Sequence, residues 1–295
     1  MVAAAVVLAG WLLVVVTVLP TRLAASDWPQ RSPGHALVLW QALGLAAGLL
    51  TLGLLGTIAL APLGHDDVDA LHHLADAGVL TWVAGGLGAL LLLRLLSVLV
   101  ASTARTLSAR HHNRVLVDLV AERNLLLRGA SVVDHDVPLA YCLPGLRPRL
   151  VLSRGTLALL SQEELRAVVA HEQAHLAQRH DLVVLPFVAL AATFPAVPAV
   201  STAQAEVALL VELLADDRAA REHDRGQLAR ALWKIGAGGT PAGALGLAGE
   251  DVLLRARRLL EPPTPLPMVA RSGVLLLALV VALSPLSAVV VPLLV

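Results

Sequence analysis

The sequence predicts a mainly α membrane protein: a four-span transmembrane helix bundle with a small cytoplasmic α+β domain inserted between the third and fourth spans. Three observations predict it. Of the 295 residues, 57% are hydrophobic and 15% charged, and the mean hydropathy is +0.76, whereas an ordinary soluble domain is nearer half apolar and a quarter charged. Apolar runs of the length a bilayer crossing needs, about 20 residues, occur three times within residues 1–101 and once within 268–295. Between them, residues 102–267 change to the mixed patterning of a folded domain. A formal net charge of zero gives no bulk-charge basis for direct nucleic-acid binding. The lone cysteine, Cys142, excludes an intramolecular disulfide and any multi-cysteine metal cluster.

The first span is Val2 to Leu19. It lacks a basic segment ahead of its apolar stretch, so it reads as a retained span and not a signal peptide. Arg22 and Arg31 follow it. The second span is Ala36 to Ala61, where Gly44 and Gly48 form a small-xxx-small pair suited to close packing inside the bundle. The next loop has neither Lys nor Arg and reads His65-Asp66-Asp67-Val68-Asp69, with His72, His73 and Asp76 beyond. That cluster is read as a solvated acidic loop ahead of a cation site. Val79 to Ala101 is the third span, thinned by Gly85, Gly86 and Gly88 and interrupted by Arg94, which is expected to snorkel. Arg105, Arg110, Arg114, Arg123 and Arg128 follow. The fourth span is Val274 to Val291, with Pro285 as a kink. Basic loops stay in the cytoplasm, so both termini are expected outside and residues 102–267 inside.

The inserted domain opens with an amphipathic helix expected over Leu107 to Arg128. Short runs at Ala130–Val133, Leu139–Cys142 and Arg149–Leu152, bounded by Asp, Pro and Gly, read as strands of a small sheet. Ser161 and Glu164 have capping-box spacing and start a helix expected to reach about Arg179. That helix carries His171-Glu172-Gln173-Ala174-His175. Histidines four apart share one face, so both imidazoles can reach one ion. Glu172 is turned about 100° from His171, which puts its carboxylate beside such an ion, placed to take a proton from water. Leu165, Val168, Val169 and Leu176 supply the apolar flank a buried metal helix needs.

A catalytic zinc site uses three protein ligands and one open position. Glu212 is the best third ligand, with Glu206 its rival on the same expected helix. Asp216, four residues after Glu212, can hold a ligand histidine in its productive tautomer. Nothing comparable follows Glu206. His180 and Asp181 read as a helix C-terminal cap region on another face, and His111, His112 and His223 as surface residues. The apolar stretch at residues 182–200 is broken by Pro186, Pro195 and Pro198. A single crossing there would put Glu212 across the bilayer from His175, so a buried or membrane-dipping helical hairpin is expected. On this reading the inserted domain is a zincin-like metallopeptidase domain. Zn2+ is its cofactor, a protein its substrate and the lipid bilayer its surroundings.

The stretch Ala140-Tyr141-Cys142-Leu143-Pro144-Gly145-Leu146-Arg147-Pro148-Arg149-Leu150-Val151-Leu152-Ser153, then Arg179-His180-Asp181 and Glu212-Leu213-Leu214-Ala215-Asp216, resembles the BlaR/MecR-type integral-membrane zinc metallopeptidases, the antirepressor class. The resemblance runs from about Leu107 to Leu260. It implies zinc held by His171, His175 and Glu212, with Glu172 as catalytic base. It also implies a bacterial plasma membrane location and cleavage of the enzyme itself or of a winged-helix repressor after an outside signal. Members that sense β-lactams carry a penicillin-binding domain after the last span. Here Val295 follows that span directly, so sensing is expected to fall to the outer loop, the spans or a partner sensor protein. HtpX-like quality-control peptidases share the motif pair and differ in where their spans fall. A non-enzymatic adaptor with a structural metal is the third reading, and Glu172 argues against it.

Overall fold

The computed structural model describes residues 2–60, 78–120, 122–124, 130–143, 148–239 and 247–286. The acidic loop cluster from His65 to Asp76 lies outside them. The chain divides into two compact units, one of Met1–Ser102, Pro186–Val207 and Leu266–Val295, the other of Thr103–Leu185 and Ala208–Pro265.

The first unit is helical. Helix α1 (Val2–Leu13) runs through a π-helical turn (Val14–Val18) into α2 (Leu19–Ala24). A short α3 (Trp28–Arg31) leads to α4 (Pro33–Leu60), and α5 spans Val79–Val120. Later in the chain come α8 (His180–Thr193), α9 (Pro198–Ala219) and α12 (Met268–Leu283). Each of α5, α8 and α9 contributes one end to this unit. Helix α4 packs against α1 and α12. Gly44 accommodates Phe187 and Leu190, while Gly85 faces Ala59 and Gly88 faces Leu55, so these glycines serve packing within the bundle. Val6, Val7, Leu90, Leu93, Val100, Leu276 and Val280 remain exposed on the rods. Apolar surface on that scale suits a lipid environment.

Among the described residues five helices are long and apolar enough to cross a membrane: Ala5–Ala24, Pro33–Ala59, Thr81–Arg105, Pro198–Ala219 and Met268–Leu286. Four of them overlap the runs expected from sequence. The fifth, α9, is the second arm of a helix pair formed with α8, the turn falling at Pro195 and Pro198 opening the second arm. Arg94 finds a partner within the protein. Its Nε and Nη2 donate to the Thr193 carbonyl at 3.2 and 2.8 Å. Thr193 is the last residue of α8, where unpaired carbonyls and the helix dipole attract a cation.

The second unit holds a four-stranded sheet in the order β1-β2-β4-β3, from β1 (Glu122–Asn124), β2 (Ala130–Val133), β3 (Ala140–Leu143) and β4 (Arg149–Ser153). The β2/β4 pair is parallel and the other two are antiparallel. The helix expected to reach Arg128 stops at Val120. Beyond it the backbone pairs as a strand, Glu122 opposite Val132 and Asn124 opposite Ala130, and this non-local ladder overrides the local helical pattern. After β4, Ser153 caps α6 (Arg154–Leu159) by accepting the Thr156 N–H. Ser161 and Glu164 then form the full capping box at the start of α7 (Gln162–Ala177). Buried Glu164 also binds Lys234 at 2.8 Å, on α10 (Arg225–Gly239). Leu152, Leu160, Leu165, Val168 and Ala231 form one core cluster. A second, including Ala167, Ala219, Leu228 and Leu259, joins α7 to α9, α10 and α11 (Leu247–Leu260).

Candidate metal centre

Helix α7 presents His171 and His175 one turn apart, held against the sheet by the apolar face that includes Leu165 and Val168. Helix α9 returns to bring Glu212 to them. One ligand atom from each of His171, His175 and Glu212 lies within 4.8 Å of the others. The two Nε2 atoms are 3.1 Å apart. His171 Nε2 is 3.4 Å from Glu212 Oε2, and His175 Nε2 is 3.5 Å from Glu212 Oε1. Ligand atoms about 2.0–2.1 Å from a tetrahedral zinc stand about 3.3–3.4 Å from one another. The spacing between the two imidazole nitrogens is close to such an edge, each of them meets one oxygen of Glu212 at a similar distance, and two imidazoles with a carboxylate are a donor set zinc accepts. Glu206, the rival ligand, contributes no atom to this group. His112 is exposed and His223 half-buried.

Around the three atoms lies a charged frame. Asp216, 1% exposed, places Oδ1 2.9 Å from His171 Nδ1. Arg255 of α11 then grips both carboxylates. Its Nε and Nη2 donate to Asp216 at 2.8 and 2.9 Å, and its Nη1 lies 2.9 Å from Glu212 Oε2. Sequence reasoning missed Arg255. It stands near Arg257 and Arg258 on one amphipathic helix, and nothing local marks which arginine turns inward. His180 was placed on another face and is corrected. It is buried, with Nδ1 2.9 Å from His175 Nδ1 and Nε2 2.9 Å from Gln178 Oε1. The αL backbone of Arg179, φ 49°, makes this possible by ending α7 and turning the chain back at once.

Glu172 lies beside the triad, not in it. Its carboxylate accepts the Cys142 N–H of β3. Burial pushes Glu172 up to about 7, against the pull of His171, so it can both take and give a proton near neutrality. Burial lowers His171, but hydrogen bonds to Asp216 and Glu212 outweigh it and raise His171 to about 9. For His175 burial wins over Glu212, and its ring falls to about 4. Two histidines on one helix are thereby driven apart, because carboxylate hydrogen bonds outweigh burial at His171 and burial prevails at His175. Burial, and then Glu172, push the Cys142 thiol up to about 12, which leaves it unreactive.

Strand β3 is an edge strand. Leu139 accepts the Ser153 N–H across the β3–β4 ladder, so by alternation Ala140 and Cys142 address the open edge. That edge runs past Glu172.

The model of Peptidase family M48 matches residues 106–228. No curated protein and no solved structure matches the chain. The stretch that carries both histidines, Glu172, Glu212 and Asp216 is similar to a peptidase family whose members typically depend on zinc.

Proposed function

We propose that this chain is a membrane-embedded zinc endopeptidase that cleaves an extended segment of a protein substrate at its cytoplasmic face. The observation that carries the reading is the triangle of His171, His175 and Glu212 ligand atoms with Glu172 beside it. The edge of β3 supports a peptide substrate, because an extended chain can add to it as a further strand. Such a chain would run alongside Glu172.

When bound at the three ligand atoms, zinc supplies Lewis acidity to a carbonyl oxygen and to water. Glu172 takes the proton of the attacking water and passes it to the leaving amine. Asp216 holds His171 with Nε2 free for the ion, and Arg255 keeps the two acidic groups from repelling each other. The Arg-rich segment after the third apolar run supports a cytoplasmic site, and Arg22 and Arg31 support both termini lying outside.

Glu172→Gln is expected to retain zinc while cleavage falls by about 10²- to 10⁴-fold. Normal cleavage by that variant, or purified protein without zinc, overturns the proposal. For the substrate, the BlaR/MecR resemblance supports a transcriptional repressor or the chain itself. The match over residues 106–228 names a general peptidase family, which supports HtpX-like membrane quality control equally well. Trapping with Glu172→Gln separates them. One captured repressor selects signalling, and many damaged membrane proteins select housekeeping. Loss of signalling in ligand variants but not in Glu172→Gln selects the non-catalytic adaptor.

A further inference from the structure

We infer that His180 is a positioning residue for the metal centre, holding His175 in the one neutral tautomer that presents Nε2 to the ion. The inference rests on the zinc reading above. It follows from counting protons along a line of hydrogen bonds. The Nε2 of His175 is the atom that meets His171 Nε2 and Glu212, so as a ligand it carries a lone pair and the ring proton sits on Nδ1. That Nδ1–H points at His180 Nδ1, 2.9 Å away. The contact is a hydrogen bond only if His180 Nδ1 is the acceptor. The proton of His180 must then sit on its Nε2, which is 2.9 Å from the Gln178 side-chain oxygen. Gln178 oxygen, His180 and His175 thus form a chain in which every proton has one place. The rings of His175 and His180 stand edge to face, 4.8 Å between centroids, so rotating one requires displacing the other.

The two ligand histidines are therefore anchored by different means. Asp216 serves His171 with a charge. His180 serves His175 with a neutral acceptor, next to a centre that already holds Glu212 and Asp216 with Glu172 beside them. A further carboxylate there would add negative charge, and a neutral ring orients without adding any.

The test uses full-length protein in detergent. Zinc affinity is read by competition with a chromogenic chelator, and the cobalt-substituted protein by its visible spectrum. His180→Ala removes the acceptor and is expected to weaken zinc binding about 10- to 100-fold, the usual cost of losing a ligand's hydrogen-bonding partner. His180→Asn places an amide oxygen near the position of Nδ1 and is expected to recover most of the loss and the wild-type cobalt spectrum. Gln178→Ala lies at an exposed position and leaves the fold intact. It is expected to weaken zinc binding a few-fold by freeing His180 to change tautomer, which keeps the assignment open to refutation if His180→Ala fails to fold. Unchanged affinity in His180→Ala, or an Asn variant as weak as Ala, overturns the assignment, as does unchanged affinity in Gln178→Ala. Wild-type protein that takes up no zinc sinks the zinc reading and this assignment together. Tight wild-type binding matched by His180→Ala sinks this assignment alone.

Discussion

Arg255 neutralises two carboxylates at once, and its removal should be felt differently with and without metal. Asp216 and Glu212 would then have only the His171 ring between them in the zinc-free protein. Breaking a buried pair of this kind costs about 3–5 kcal/mol, so Arg255→Met is expected to lower stability by about that much. Zinc brings its own positive charge to Glu212, and the loss should be smaller in its presence. Melting curves with and without zinc check this, and equal losses would count against it. His171 supplies a second expectation. Its ring is held at about 9, because hydrogen bonds to Asp216 and Glu212 outweigh burial, so it is protonated at pH 7 in the metal-free state. A ligand must be neutral, so zinc uptake displaces that proton and weakens as pH falls. Calorimetry in buffers of different ionisation enthalpy should read about one proton released at pH 7. At this scale the sequence showed what spacing encodes. His171, Glu172 and His175 are one helical pattern, and Glu212 with Asp216 is another. Arg255 and His180 are joined to the site only by the fold. The one lies among similar arginines, and the other follows a left-handed residue that no proline or glycine announces.

At the scale of elements, local rules read well and long-range pairing did not. Ser161 and Glu164 form their box because both partners lie within one turn. The strand at Glu122–Asn124 went unread because its partner β2 decides it. The β4–α6 junction depends on a single small residue. A Cβ on Gly155 would collide with the Asp136 carbonyl, while the Gly155 N–H already donates to His135 at 3.0 Å. Gly155→Ala is expected to cost about 1–3 kcal/mol, as overpacking does, and to loosen the start of the metal helix that follows. Denaturant titration measures the loss, and a variant as stable as wild type would contradict it.

For the whole molecule, the testable quantity is sidedness. The proposed arrangement expects alkaline phosphatase fused after Val295 to be active outside the cell. A fluorescent protein inserted at residues 240–246 should glow inside. The reverse pattern would refute a cytoplasmic site. The apolar helices were legible because apolar length is a property of composition. The break in the apolar stretch at residues 182–200 was legible from its prolines, and the structure divides that stretch between α8 and α9. That helix pair also has a meaning in time. His175 is synthesised before the pair and Glu212 within its second arm, so a ribosome delivers two ligands first and the third only as that arm is made. On the proposed topology, a chain whose arms have not folded back holds two of the three candidate ligands apart from the third.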